Sequence, residues 1–429
     1  MNFQESMEYM EQLNERGSVL GLVNIQRLLE ILENPQNQVP VIHVAGTNGK
    51  GSTIAFMESI LLEAGFHVGK YISPTVFSYL ERFQIDGRYM DEADFAKYLT
   101  KVQQAVLQME ASEGLFPTAF EVETAVAFLY CKDKADIMLL ETGMGGRLDS
   151  TNVVDKPLCT VLASISMDHM QFLGNTIEEI AREKAGILRT GVACISNPAN
   201  ERVEQVLRNA CEEVGAVYQT GKAIIQSVDT DGTTFVFQNT QYEIHLLGAY
   251  QVDNAVTAIM AVQAAARVLG SPLDEAVIEV GLRKTKWAAR LEKISEKPDF
   301  YVDGAHNIDA CICLRQAVET YFTNRKKIYI IGVLKDKEYE KMMALLAPTA
   351  DAIFTVTPEN SRGLNAEVLA NVCGRYCAHT ICVGDLTKAV AQAKEFAKPY
   401  GEAAVILAFG SLSYIGSIQH EAIQTIIDR

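Results

Sequence analysis

The segment Val41-Ile-His-Val-Ala-Gly46-Thr-Asn-Gly49-Lys50-Gly51-Ser52-Thr53 constrains the fold more than any other stretch of the chain. A mostly apolar run from Val39 to Ala45 reads as a buried strand, a Gly-rich turn follows, and a helical pattern continues from about Ser52 to Ala64. Glycines in such a turn let successive backbone N–H groups point into one concavity that suits phosphate oxygens. Lys50 adds positive charge near the outer phosphates, and Ser52 or Thr53 can offer a hydroxyl to Mg²⁺. The usual phosphate loop has glycine five residues before its Gly-Lys pair. Here that position is Val44, and Gly51 separates Lys50 from Ser52, so the loop is a variant. An ordinary Gly-rich strand-to-helix turn is the plain alternative.

The rest of the chain repeats the alternation of short apolar runs and longer helical patterns, which predicts an α/β fold with a largely parallel sheet. Strands are expected at Ile137–Leu140 and Leu158–Ser164, and helices over Glu92–Met109, Glu121–Lys132, Ile177–Leu188 and Arg202–Val214. Alternating residues between Ala223 and Leu247, with an Asp231-Gly232 turn, predict a hairpin or small antiparallel sheet. Helical periodicity returns at Val252–Leu269 and Leu273–Arg283. The charged, Pro-containing stretch Glu292–Pro298 then reads as a linker, and α/β alternation restarts with strands at Phe300–Val302, Lys327–Gly332, Ala352–Val356, Thr380–Val383 and Ala404–Ala408. A last helix is expected to end near Asp428. This divides the chain into a domain over residues 1–292, a linker at 293–298 and a domain over 299–429.

With 38 basic against 54 acidic residues the formal charge is −16, which argues against a nucleic-acid-binding surface. The nine cysteines show no paired CxxC spacing with nearby histidine, so reduced, mostly buried thiols are expected rather than a zinc site. The N-terminal segment lacks the basic and apolar regions of a secretory signal. The longest apolar run, Ala255–Leu269, is interrupted by Gln263 and Arg267. A soluble, cytoplasmic protein without a membrane partner is the expectation.

Two further segments carry chemistry. Glu141 ends a buried strand and is followed by Gly143–Gly146, Arg147 and Asp149. Ligands of open α/β sheets gather at that edge, where a carboxylate can bind Mg²⁺ and glycines allow close backbone approach. A strand-end carboxylate simply facing water is the bland reading. Asp168 and His169 follow the next strand, then Thr176 and Glu179 form a capping box for a helix carrying Lys184 among small and apolar neighbours. A partly buried lysine has a depressed pKa and can be modified or act as a base, whereas a surface lysine and a core histidine would be inert.

Together these segments closely resemble the folylpolyglutamate synthase family, which includes bifunctional dihydrofolate synthases and belongs to the Mur ligase superfamily. The matching stretches are HVAGTNGKGST at His43–Thr53, ERFQIDG at Glu81–Gly87, FEVETAVAF at Phe120–Phe128, ETGMGGRLDSTN at Glu141–Asn152 and MDHMQFLGNTIEEIAREKAGI at Met167–Ile187. QVDNA at Gln251–Ala255, WAARLE at Trp287–Glu292 and VDGAHN at Val302–Asn307 complete a series that runs in family order over nearly the whole chain.

The resemblance implies a large Mur-ligase-like ATPase domain with the phosphate loop and a smaller Rossmann-like C-terminal domain. It implies ATP-dependent ligation of L-glutamate to the carboxylate of a folate, of dihydropteroate, or of both, through an acyl phosphate. By carry-over, Gly46, Thr47, Asn48, Gly49, Lys50, Gly51, Ser52 and Thr53 hold the ATP phosphates. Ser52 and Glu141 are ligands of one Mg²⁺ and His169 of a second. Lys184 matches a lysine that is often carbamylated. Asn254 and Arg290 match nucleotide contacts, and Asp303 and His306 match residues near ATP and the reacting groups. Ser73, Arg82, Phe120 and Asp149 fall on the folate side, and Ser411 on the glutamate side. The active site is expected in a cleft between two domains of a monomer.

Three departures stand out: Ser73-Pro74-Thr75-Val76 where Ser-Pro-His-Leu is usual, Tyr250 where histidine is common, and Ala289 where glycine is frequent. Thr75 bears on the substrate side. The alternatives are a Mur-type ligase acting on a UDP-linked peptidoglycan precursor and a non-catalytic ATP-binding relative. ERFQIDG and FEVETAVAF argue against the first, and the presence of Glu141, His169 and Lys184 against the second.

Overall fold

The computed structural model describes residues 1–15, 17 and 21–418, so the expected end of the last helix near Asp428 lies outside the described residues. The chain forms two compact units. The first comprises Met1–Ile224, Val236–Tyr242 and Asp253–Thr285, and the second Ile225–Phe235, Glu243–Val252 and the chain from Lys286 onward.

The first unit is built on strands β1 (Val41–Ala45), β2 (Val68–Tyr71), β3 (Phe83–Ile85), β4 (Arg88–Tyr89), β5 (Ile137–Glu141), β6 (Cys159–Leu162), β7 (Ala193–Ser196) and β8 (Val217–Gln219). They form one sheet in the order β4-β3-β2-β5-β1-β6-β7-β8. Six strands from β2 to β8 run parallel, and β3 and β4 extend the sheet antiparallel at one edge. Every residue of β1, β5 and β6 is buried, as expected of central parallel strands covered on both faces. The chain leaves β1 to one side for β2 and β5 and to the other for β6. The loops after β1, β5 and β6 therefore open side by side at a topological switch point, where α/β sheets place their ligands.

Strand β2 escapes the apolar pattern because its interior is Gly69-Lys70. Buried Lys70 pairs with Glu58, on the helix Lys50–Glu63, at 2.5 Å, which makes a charge tolerable there. Later in the sequence, β9 (Ile224–Val228), β10 (Thr233–Phe237) and β11 (Thr240–Ile244) form the expected small sheet, in the order β11-β10-β9.

The second unit carries β12 (Glu292–Ser295), β13 (Asp299–Val302), β14 (Lys326–Ile331), β15 (Ala352–Val356), β16 (Thr380–Gly384) and β17 (Ala404–Phe409), ordered β12-β13-β17-β14-β15-β16. All neighbours are parallel except β12, which pairs antiparallel with β13. The stretch read as a linker is thus an edge strand and its turn. Its charges suit an exposed edge, and Lys293 pairs with Asp299 at 2.7 Å. The helix Tyr250–Leu269 is apolar and long enough to cross a bilayer by composition alone, but Ala255, Val256, Ile259 and Val262 are buried within the fold, as in a core helix.

Candidate active site

The loop after β1 is fixed by close approach. Gly46 has φ +155°, and a Cβ there would fall 2.8 Å from the Cβ of Ala163, just past β6. Gly49 has φ +82°, and its Cβ would meet Asn254 Oδ1 at 2.5 Å. Thr47 and Asn48 do not present their N–H groups to a ligand. Both donate to the carbonyl of Ser164, at 2.7 and 3.2 Å, while Thr47 Oγ1 donates to Ser166 O at 3.1 Å. These two residues tie the loop to the end of β6. The opening N–H groups of the helix Lys50–Glu63, ahead of Thr53 N–H, which donates to Gly49 O, are ones that a helix does not satisfy internally, and such groups suit an anion. Thr53 Oγ1 donates back to Gly49 O at 2.9 Å, and buried Ser52 carries no such bond among the described residues.

Three charged groups converge here. Lys50 Nζ donates to Gly46 O at 3.1 Å and lies 3.6 Å from Glu141 Oε1 at the end of β5. Lys184 Nζ, on the helix Ile177–Ala185, donates to the same carbonyl at 2.9 Å. Lys184 is buried, and burial with the nearby Lys50 charge pulls its pKa from 10.5 to about 7, against the pull of Asp168 and Asp149. The predicted capping box opens this helix. Glu179 N–H donates to Thr176 Oγ1 at 3.2 Å, and Thr176 N–H to Glu179 Oε2 at 3.1 Å. His169 takes a left-handed conformation, φ 51°, with its side chain exposed.

The loop after β5 crosses the end of the Lys184 helix at backbone contact. A Cβ on Gly146 would lie 2.7 Å from Lys184 O, and one on Gly186 would strike Arg147. Arg147 N–H donates to Glu183 O at 2.9 Å, and its guanidinium pairs with the Glu183 carboxylate.

On the other flank, Glu141 Oε2 accepts the N–H of Ser73 at 3.3 Å. Gly143 leaves room for Phe120, whose Cζ would be 2.6 Å from a Cβ there. Arg82 forms an ion pair with buried Glu123 and lies over the Tyr79 ring, and Tyr79 Oη donates to Glu123 at 2.7 Å. Asp149 is buried, and its carboxylate accepts from Met144 N–H at 2.8 Å and from Thr151 N–H and Oγ1 at 3.0 and 2.5 Å.

In the second unit, Asp303 follows β13. Its buried carboxylate accepts the N–H groups of Leu291 and Ala305, each at 2.8 Å, and burial raises its pKa although Arg290 opposes this. His306 Nδ1 bonds with Gly304 O at 2.8 Å. Arg290 Nη1 donates to Ala289 O at 2.9 Å and stands where a Cβ on Gly304 would be. Ser411 Oγ meets Ser413 Oγ at 2.9 Å and accepts its N–H at 3.2 Å.

The Mur ligase middle domain family matches residues 44–262, and the Mur ligase glutamate ligase domain family matches residues 289–412. A Bacillus subtilis dihydrofolate synthase/folylpolyglutamate synthase is 36% identical over 82% of this chain and 84% of its own length. The chain belongs to the folylpolyglutamate synthase/dihydrofolate synthase family of Mur ligases. Mycobacterium tuberculosis folylpolyglutamate synthase, solved with ADP and AMPPCP, matches with TM-score 0.86 at 27% identity, covering 100% of this chain and 99% of that one. The Escherichia coli enzyme in complex with DHPP and ADP matches with TM-score 0.84 at 28% identity, covering 100% and 98%. The chain is an ATP-dependent ligase of the Mur type.

In this ligase, Gly46, Gly49, Lys50, Gly51, Ser52, Glu141, Lys184 and Asn254 are gathered at one sheet edge. Five of the expected site residues have internal partners. Thr47 and Asn48 bond to the segment after β6. Arg82 is committed to Glu123, and Asp149 to its own turn, because a buried charge must find partners. Ser411 immediately precedes the helical residues 412–418 and accepts the N–H of Ser413. Glu81 and Glu123 were not singled out within their motifs, since one sequence does not show which motifs meet.

Among the described residues, no group of three or more His, Cys, Asp or Glu side chains could by itself hold a metal. Mg²⁺ does not require one, because it keeps several waters and takes one or two protein ligands plus phosphate oxygens. Buried Glu141 and Ser52, beside the helix N-terminus, fit that pattern.

Proposed function

We propose that this chain joins the amine of L-glutamate to the carboxylate of a folate, of dihydropteroate, or of both, with ATP as phosphoryl donor. The convergence of Lys50, Lys184 and Glu141 around Gly46 is the observation that carries this reading. The acceptor carboxylate attacks the γ-phosphorus, ADP leaves, and an acyl phosphate forms. The glutamate amine, having lost a proton, adds to the acyl carbon. The tetrahedral intermediate gives up a second proton from that nitrogen, which can leave with the phosphate, and expels inorganic phosphate to leave the amide. A carboxylate is a poor acyl donor until one oxygen becomes a good leaving group, which is the purpose of the phosphoryl step.

Most of the protein's contribution is positioning and charge neutralisation. The helix N–H groups after Gly49 and the Lys50 ammonium hold the β- and γ-phosphates. Ser52 and Glu141 would hold Mg²⁺, with His169 beside a second ion, and Mg²⁺ when bound neutralises phosphate charge as a Lewis acid. Lys184, with its pKa near 7, offers the neutral amine that a carbamate requires. Asn254, Arg290, Asp303 and His306 keep the nucleotide- and reaction-side roles given by the resemblance, and Ser73 and Phe120 the acceptor side. A cytoplasmic monomer is the accompanying reading.

ATP-dependent incorporation of labelled glutamate, with dihydropteroate, a reduced folate and a UDP-muramoyl acceptor assayed in parallel, tests the assignment. Incorporation with either pterin acceptor supports it, and incorporation with the UDP acceptor alone overturns it. Glu141→Ala should lower turnover by about 100-fold or more, the scale of a lost transition-state charge contact, while leaving the melting temperature nearly unchanged.

A further inference from the structure

Glu81 opens the ERFQIDG stretch and is buried, yet no part of the reaction described above uses it. It lies in the 3₁₀ turn Tyr79–Arg82, capped by Ser78, whose side chain accepts from Leu80 N–H at 3.3 Å. One oxygen, Glu81 Oε2, accepts the backbone N–H groups of Val76 at 2.9 Å, Phe77 at 2.7 Å and Ser78 at 3.5 Å. Each is a charge-assisted bond, and together they make a buried carboxylate tolerable.

These three residues form one foot of an arch over 73–78, whose Pro74, Phe77 and Ser78 are exposed. At the other foot, Ile72 N–H donates to Arg82 O at 3.1 Å and Ser73 N–H donates to Glu141 Oε2 at 3.3 Å. The turn bearing Glu81 is itself immobilised, since Arg82 and Tyr79 are both bound to Glu123 on the helix Ala119–Lys134, the helix that also carries Phe120. One turn therefore links the arch on one side to the Phe120 helix on the other.

We propose that Glu81 is a positioning residue for ligation: by gathering the amides of residues 76–78 it sets the arch that brings the Ser73 N–H to Glu141 and shapes the acceptor side. This rests on the placement of the acceptor at Ser73 and Phe120. Glu81 touches no reacting atom and acts through the backbone of the arch. Thr75, the departure from the usual histidine, sits on the span that Glu81 fixes.

Glu81→Gln keeps the size of the side chain but removes its charge, and Glu81→Ala removes the acceptor altogether. With the full chain, the KM for the pterin acceptor should rise about tenfold in Glu81→Gln, as for the loss of one charge-assisted bond. The KM for ATP should stay within about twofold, a split that general loss of stability does not produce. Independently of any assay of activity, amide hydrogen exchange in peptides covering 72–79 should accelerate at Ser73 as well as at 76–78. An unchanged acceptor KM, equal rises for both substrates, or retained protection at Ser73 would overturn the proposal. If the wild-type chain fails to use any pterin acceptor, the functional assignment falls, while the exchange experiment still decides whether Glu81 controls Ser73.

Discussion

Lys184 Nζ and the carbonyl oxygen of Gly46 lie 2.9 Å apart, so the helix after β6 holds the first residue of the loop after β1 through a buried lysine. The fold thereby keeps an amine with a pKa near 7 against the phosphate-binding turn.

The pH dependence of stability should report this amine directly. Its folded pKa is depressed from 10.5 to about 7. Below about pH 7 both states hold the proton, and the folded state bears the full cost of a buried ammonium. Between 7 and 10.5 the unfolded chain binds a proton that the folded chain has released, so stability rises with pH. Lys184→Met lacks this slope. In denaturant titrations run in CO₂-free buffer, the variant's stability relative to the wild type should be greatest below pH 7 and decline as pH rises. Parallel curves across that window would refute the assignment. Addition of isotopically labelled bicarbonate to the wild type should label Lys184 if the carbamate forms.

The Arg82–Glu123 pair makes a different prediction, because it gives Arg82 a buried internal partner. Removing one member of a buried pair strands the other, so Glu123→Leu alone should cost about 3–5 kcal/mol. Burial already raises the pKa of Glu123 despite the Arg82 charge, so the site gives a lone charge little shelter. Arg82→Met combined with Glu123→Leu should recover most of the loss. Chemical denaturation of the two singles and the double checks this, and simple additivity would contradict it.

Gly46 should tolerate no side chain. Gly46→Ala places its Cβ against Ala163 at 2.8 Å in a conformation that L residues rarely adopt. A loss of roughly 1–3 kcal/mol, the usual cost of overpacking, is expected in thermal or chemical unfolding. Ala163→Gly in the same chain should restore part of it by removing the opposing methyl.

How much of this was legible in the sequence depends on what each residue's neighbours reveal. The strand–turn–helix around Gly46 and Lys50 is written locally, and so is the Thr176–Glu179 cap, because each needs only residues a few places apart. Lys184 was half legible: Ile180, Ala181 and Ala185 beside it allow an inward course, but Arg182 and Glu183 fit a surface lysine equally well, and only the structure buries it. Strand β2 was missed because Lys70 looks exposed until Glu58 is seen beside it. Arg82 and Asp149 looked available for a substrate because their partners, Glu123 and the Met144–Thr151 turn, are set by tertiary contact or loop closure. Glu292–Ser295 has the composition of a linker, and only its pairing with β13 makes it a strand.

The crossing of Gly146 and Gly186 bears on how this site can change over time. A methyl group on either glycine would need space that the other segment already fills, Glu183 and Lys184 backbone in one case and Arg147 in the other. A substitution at either one displaces a neighbour of the other, and with it Lys184 or Arg147. The two stretches are therefore sterically one piece, and in an alignment of relatives replacements at the two glycines are expected to covary or to be missing altogether, however freely the intervening residues drift.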